Sequence, residues 1–250
     1  MTNTLRANSG AGQKNPMALS TRLYIGAVIA AGAVVLATFA PRELPQPVLA
    51  LTFLAAMTVV SLFKLRLPLG DGQSTMSMAY VVDFAVIATA GADLAMVIAA
   101  AGVIVQCTVN VRRQQPWYRT AFSVATVVLA VRTAGLVWAA FGGSSASAMG
   151  FAAVVPLLAA AVPYFAINSG LVSAAIAFTN GTSPVRMWQQ HFVGTAPSVF
   201  AAAGVVAVIE IMMTRDAYML LVATAVPMAL CHLAYAAWFR RLAPGTAATA

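Results

Sequence analysis

Residues 74–120 read STMSMAYVVDFAVIATAGADLAMVIAAAGVIVQCTVNVRRQQPWYRT. Two apolar segments flank Gly91-Ala92-Asp93, and the first of them carries one aspartate, Asp83. The second ends in Arg112 and Arg113, followed by Pro116, Trp117, Tyr118 and Arg119. Apolar segments closed by arginines and aromatic rings, which favour the headgroup level, read as a membrane hairpin. Its exit is an anchor on the cytoplasmic side. The rest of the chain is placed relative to it.

Composition supports a lipid environment. Of 250 residues, 61% are hydrophobic and 8% charged, whereas a soluble domain carries about 25% charged residues. So few charges cannot cover a water-facing surface. The net charge of +8 is not a nucleic-acid signature here, because the basic residues sit at the ends of apolar runs. There they act as topology determinants and contacts to anionic lipid. Cys107 and Cys231 both fall in apolar segments and lack metal-ligand spacing.

The expected fold is all-α, a polytopic transmembrane bundle of about eight spans. Residues 1–19 read as a disordered cytoplasmic tail, 20–241 as one membrane domain and 242–250 as a flexible tail. Spans are expected at about 20–40, 48–63, 76–90, 94–111, 120–141, 149–178, 192–213 and 218–238. Asp93 is a candidate N-cap for the fourth. The third, at about 15 residues, is short for a hydrocarbon core that needs about 20. Pro156 and Pro163 imply a bend or a short interfacial piece in the sixth segment. The first apolar run is longer than the 7–15 residues of a signal-peptide core, which argues against cleavage after Ala40.

Charge tests the topology. With the N-terminus inside, eleven of the fourteen Lys and Arg residues fall on the cytoplasmic side, only Arg42 and Arg215 fall outside, and Arg132 is intramembrane. Under the positive-inside rule this expects N-in, C-in. It also requires the short third segment to cross, since a re-entrant segment there would swap every later side.

Three charges lie within the expected spans: Asp83, Arg132 and Glu210. A charge at the bilayer centre costs about 2.5–3.5 kcal/mol, so each needs a partner or a water-filled cavity. Counting rise per residue puts Arg132 and Glu210 roughly 20 and 27 Å from the inner face, so they are expected to pair. Asp83 and His232 fall at similar depth, roughly 10 Å in, and form a second expected pair. Each pair reads either as a ligand or proton site or as a device that fixes helix packing. Asn168, Gln106 and Asn110 read as interhelical hydrogen-bond formers.

Several chemistries are excluded or weak. Lys14 and Lys64, the only lysines, are not mid-helix, which excludes a retinal Schiff base. His191 and His232 lack bis-histidine spacing for haem, and no Walker or HExxH motif is present. Ser169 has no plausible base at matching depth. No cofactor or metal site is legible.

Beyond these residue-level readings, the runs STMSMAYVVDFAVIATAGADLAM and VQCTVNVRRQQPWYRTAFS, with the ending HLAYAAWFRRL, resemble the multi-span N-terminal sensor regions of MASE type in bacterial cyclic-di-GMP signalling proteins. Those regions precede HD-GYP or GGDEF output domains. The resemblance covers about residues 20–242, and Asp83 and the Pro116–Arg119 exit are its most distinctive positions. No coiled linker or catalytic domain follows Arg241 in this sequence, so enzymatic activity is not carried over. The resemblance implies a bacterial inner-membrane sensory or ligand-binding domain, non-catalytic in this chain. Its expected partners are the lipid bilayer and either a cytoplasmic signalling protein or a second copy of the chain, with no nucleic acid. Asp83, Arg132, Glu210, His232 and Asn168 are the candidate intramembrane polar site. Arg112, Arg113, Trp117, Tyr118 and Arg119 are the candidate cytoplasmic interface. The alternative is a small-molecule transporter or its substrate-binding membrane subunit.

Overall fold

Long apolar runs punctuated by proline and glycine dictate the elements. In the computed structural model the described residues are 19–44, 46–62, 65–69, 72–76, 79–109, 116–143 and 150–213, the strands by their backbone alone. Helix α1 (Leu19–Phe39) stops just before Pro41, and α2 (Pro47–Leu62) starts on a proline, whose missing N–H costs nothing in a first helical turn. Strands β1 (Leu65–Leu69) and β2 (Gly72–Met76) follow. Then come α3 (Ala79–Thr108), α4 (Trp117–Ala140), a 3-10 turn at Gly150–Ala153 and α5 (Val154–Asn180). A short α6 (Pro184–His191), a second 3-10 turn at Val193–Thr195 and α7 (Ala196–Met213) complete the described chain.

Among the described residues, five helical runs are long and apolar enough to cross a membrane: Leu19–Phe39, Ala79–Thr108, Trp117–Ala140, Gly150–Asn180 and Pro184–Met213. Pro47–Leu62 is a shorter apolar helix. The fold is helical, as composition requires. Its one departure among the described residues is the antiparallel hairpin β1–β2, in register Leu65↔Met76 to Leu69↔Gly72. The expected third span therefore starts at Ala79, because Met76 belongs to a strand. Leucines at 65, 67 and 69 alternate with Arg66 and Pro68, a period-two pattern followed by the turn pair Gly70-Asp71.

The expected third and fourth spans form one helical run broken at Gly91 (φ 84°, ψ 169°). That conformation is essentially restricted to glycine. It divides α3 into a first arm carrying Asp83 and a second arm carrying Cys107. The sixth segment opens on a 3-10 turn that leads directly into α5, which runs on through Pro163. The expected seventh span begins with the second 3-10 turn and continues as α7, and the short helix α6 precedes it.

Helix α4 is the centre of the bundle and packs against α1, α3 and α5. Its inward face is Ala125, Val128, Ala130, Val131 and Ala134. Small residues set the close approaches. A Cβ on Gly32 of α1 would lie 2.5 Å from the Cα of Ala125, and one on Gly135 of α4 would collide with Ala92 of α3. Helix α2 packs on α3, where Met57 and Ser61 cover Gly102. Helix α7 covers α5 and α3.

Contacts along the helices fix their relative directions. Val28 and Phe122 share a cluster, Gly32 meets Ala125, and Arg132 stacks on Phe39. So α1 and α4 run parallel, about 93 residues apart in register. Helix α5 runs against them: Tyr24 donates to the Leu171 carbonyl and Thr21 to that of Phe178, both at 3.1 Å. The second arm of α3 is antiparallel to α4. Asp93 meets Arg132, while Ile104 and Thr108 face Trp117 and Thr120 across a groove.

Candidate functional site

Asp83 is the one buried charge among the described residues, 2% exposed in a row of buried Val82, Phe84, Val86 and Ile87. Its Oδ2 accepts a hydrogen bond of 2.5 Å from the Tyr164 hydroxyl of α5, itself 1% exposed. Its Oδ1 has no hydrogen-bond partner among the described residues. Tyr80 and Phe84 lie four residues apart on the same helix face. Both grip the Tyr164 ring, Tyr80 edge-on at 5.5 Å and Phe84 tilted at 5.2 Å. Three aromatic rings thus pack together around the phenol that donates to Asp83. The arrangement ties the first arm of α3 to α5 at one polar point, and it leaves one acceptor oxygen open to a donor.

Arg132 lies near the opposite end of α4 from Trp117. Its Nη1 donates to Asp93 Oδ1 at 2.5 Å, and its guanidinium carbon sits 3.7 Å above the Phe39 ring. The expected pair of Arg132 with Glu210 does not form, because Asp93 just past the Gly91 break is nearer. Asp93 accordingly spends its carboxylate on Arg132 rather than on an N-cap. A cleft of about 430 Å³ opens beside this pair, lined by Glu43, Gln46, Thr89 and Asp93 together with apolar residues.

Glu210 is near the end of α7. His232, Arg112 and Arg113 lie outside the described residues, so the expected pair of Asp83 with His232 does too. Tyr164 takes one oxygen of Asp83 in any case. Asn168 is half-buried and makes no side-chain hydrogen bond among the described residues. Its neighbour Ser169 accepts from the Trp188 indole at 2.7 Å and donates to the Phe165 carbonyl at 2.5 Å, so its hydroxyl is a packing group between α5 and α6. Gln106 donates to Ser61 at 3.5 Å, an interhelical bond of the expected kind. Trp117, Tyr118 and Arg119 form the first turn of α4, with Trp117 77% exposed and Arg119 exposed.

A second, more apolar concavity lies between α1, the second arm of α3 and α4. Its volume is about 630 Å³, and its walls are nearly all apolar: Ile29, Gly32, Leu36, Ile104, Val124 and Val128, with Trp117 at one end. Thr108 lines it with its hydroxyl already bonded to the Ile104 carbonyl.

Sequence reasoning missed Tyr164, Tyr80 and Phe84. The Tyr80/Phe84 spacing around Asp83 was a usable signal, whereas a tyrosine inside an apolar run gives none.

Residues 47–238 match the MASE9 family model, most of the 250-residue chain. No curated protein and no solved structure matches it.

Proposed function

Because the chain belongs to the MASE9 family of membrane-associated sensors, we propose that it is a multi-pass sensory domain of the bacterial inner membrane. It is non-catalytic in itself, binds a ligand between its spans, and passes the change to a cytoplasmic signalling partner. The observation that carries this reading is the contact of Asp83 with Tyr164. A buried ionisable residue in a membrane bundle is by default a functional residue. Here it couples an arm hinged at Gly91 to α5, and its free Oδ1 gives a ligand donor something to take. Helix α5 in turn reaches α1 and α6 near its far end, through Thr21 with the Phe178 carbonyl and Ser173 with the Pro184 carbonyl. A shift at Asp83 therefore has a packed route to that end.

That end is the proposed cytoplasmic face. Register between α1 and α4 puts Arg22 within about one helical turn of Trp117 and Arg119, and Arg186 of α6 joins them through the Ser173 contact. Arg42 and Arg132 lie toward the other end. This clustering supports the N-terminus inside; the proposed topology adds the sequence's positive-inside count for C-in and about eight spans. The family match favours sensing over transport. The partner the family resemblance suggests is a cyclic-di-GMP enzyme.

The test is a fusion of the full chain to a diguanylate cyclase reporter, with cyclic-di-GMP measured in cells. Asp83→Asn is expected to change output at least threefold at equal membrane abundance. Unchanged output would remove Asp83 from the mechanism. Membrane-impermeant labelling of single cysteines at Arg42 and Arg119, in a variant lacking Cys107 and Cys231, should modify the first in intact cells and the second only after lysis. The reverse pattern would overturn the orientation.

A further inference from the structure

The groove between α1, α3 and α4 runs from Trp117 to Val128 along α4, a span of roughly 16 Å at the helical rise. Half of a typical hydrocarbon core is about 15 Å, so the groove is one leaflet deep. Its volume of about 630 Å³ falls in the range of ligand sites, about 300–1,000 Å³. The walls supply no charge. One end, however, is polar and basic. Arg22 precedes Ile29 by seven residues, two helical turns, so it shares the face of α1 that carries Ile29, Ala33 and Leu36. It is exposed and forms no ion pair among the described residues. The register of α1 against α4 puts it within about one helical turn of Trp117, at the groove mouth.

We propose that this groove seats one acyl chain of an anionic phospholipid from the leaflet at the Arg22 end, with the phosphate against Arg22 and the Trp117 ring at headgroup level. The inference deepens the proposed sensory reading and rests on it only for the assignment of that leaflet to the cytoplasmic side. Apolar walls select a hydrocarbon chain without reading its chemistry. The Arg22 cation at the mouth selects an anionic headgroup over a zwitterionic one. Small side chains at Gly32, Ala33, Ala121 and Ala125 leave room for the chain, so the site is emptied by enlarging one of them.

The experiment uses the full chain in phosphatidylcholine vesicles, with electron spin resonance of lipids spin-labelled near the chain end. The immobilised fraction is compared for labelled phosphatidylglycerol, phosphatidylcholine and stearic acid. Phosphatidylglycerol is expected to associate about fivefold more strongly than phosphatidylcholine, the equivalent of one basic residue near the headgroup. Arg22→Gln should erase that preference while leaving the phosphatidylcholine component unchanged. Ala33→Phe, at an exposed position facing the groove, should reduce the immobilised fraction of both lipids. Equal association of the two lipids with the unaltered chain overturns the proposal. So does a preference that survives Arg22→Gln, or an immobilised fraction indifferent to Ala33→Phe. Stronger association of stearic acid than phosphatidylglycerol, or a dimer lost in Ala33→Phe, would assign the groove to a free fatty acid or to a second copy. Lipid binding with reporter output indifferent to Arg22→Gln would leave the site standing and count against its use in sensing.

Discussion

Removing the Tyr164 hydroxyl is the sharpest perturbation of the polar centre. Tyr164→Phe keeps the ring that Tyr80 and Phe84 hold and deletes only the donor to Asp83. Both oxygens of a fully buried carboxyl group then lack a partner among the described residues. A stranded buried polar group costs about 1–3 kcal/mol in soluble proteins. In membrane proteins hydrogen bonds average about 0.6 and reach about 1.7 kcal/mol, because the unfolded chain in lipid also finds partners. The estimate for Tyr164→Phe is therefore about 1–2 kcal/mol, from the upper part of the membrane range because Asp83 has no second bond to fall back on. Asp83→Leu keeps the branched shape and removes the polar group, but it strands the phenol, so it too should destabilise, by about 1 kcal/mol. The double replacement removes both partners together, and such pairs can be nearly neutral. Unfolding in mixed micelles with increasing dodecyl sulfate, followed by circular dichroism, measures all four proteins. The double variant is expected within about 0.5 kcal/mol of the parent, with a coupling energy of about 2–3 kcal/mol. Single effects that add within about 0.5 kcal/mol would refute the direct contact and the reasoning built on it.

The same assay reads four other positions. Gly32→Ala should cost about 1–3 kcal/mol, because its methyl must displace the Ala125 backbone. Gly26→Ala, with nothing within 4 Å, should be neutral or stabilise by up to about 1 kcal/mol through helix propensity. Gly91→Ala should cost about 1–3 kcal/mol, since φ 84° and ψ 169° are denied to a side chain. Arg132→Ala should cost only about 1 kcal/mol. Its ion pair with Asp93 is 20% and 54% exposed and weak for that reason, which leaves the stacking on Phe39 as the larger share. Arg132→Lys should recover less than half of the loss if that stacking dominates.

The helical membrane class was legible because a 61% apolar composition is gathered into long unbroken runs rather than the alternating pattern of barrel strands. The Gly91 break was legible for a local reason, a Gly-Ala-Asp sequence between apolar runs. The strands β1 and β2 fall almost wholly between the expected second and third spans, and the alternating leucines of β1 were a legible signal for them. Partner choice was not legible. Depth counted by helical rise is blind to azimuth, so it could not decide between Glu210 and Asp93 for Arg132. It could not find Tyr164 for Asp83 either, since the two are 81 residues apart in sequence and a tyrosine barely disturbs an apolar run. Burial of Asp83 followed from the cost of charge in lipid, but its surroundings depended on the tertiary fold.

Sensing through the polar centre is tested most directly by the output of the cyclase fusion carrying Asp83→Leu with Tyr164→Phe. That protein should match the parent in stability and membrane abundance, so a change in cyclic-di-GMP cannot be assigned to unfolding. The expected result is a stable fusion whose output departs at least threefold from the parent and no longer responds to conditions that alter the parent. A stable double variant with parental output and response would contradict the claim and reduce Asp83 and Tyr164 to a packing pair.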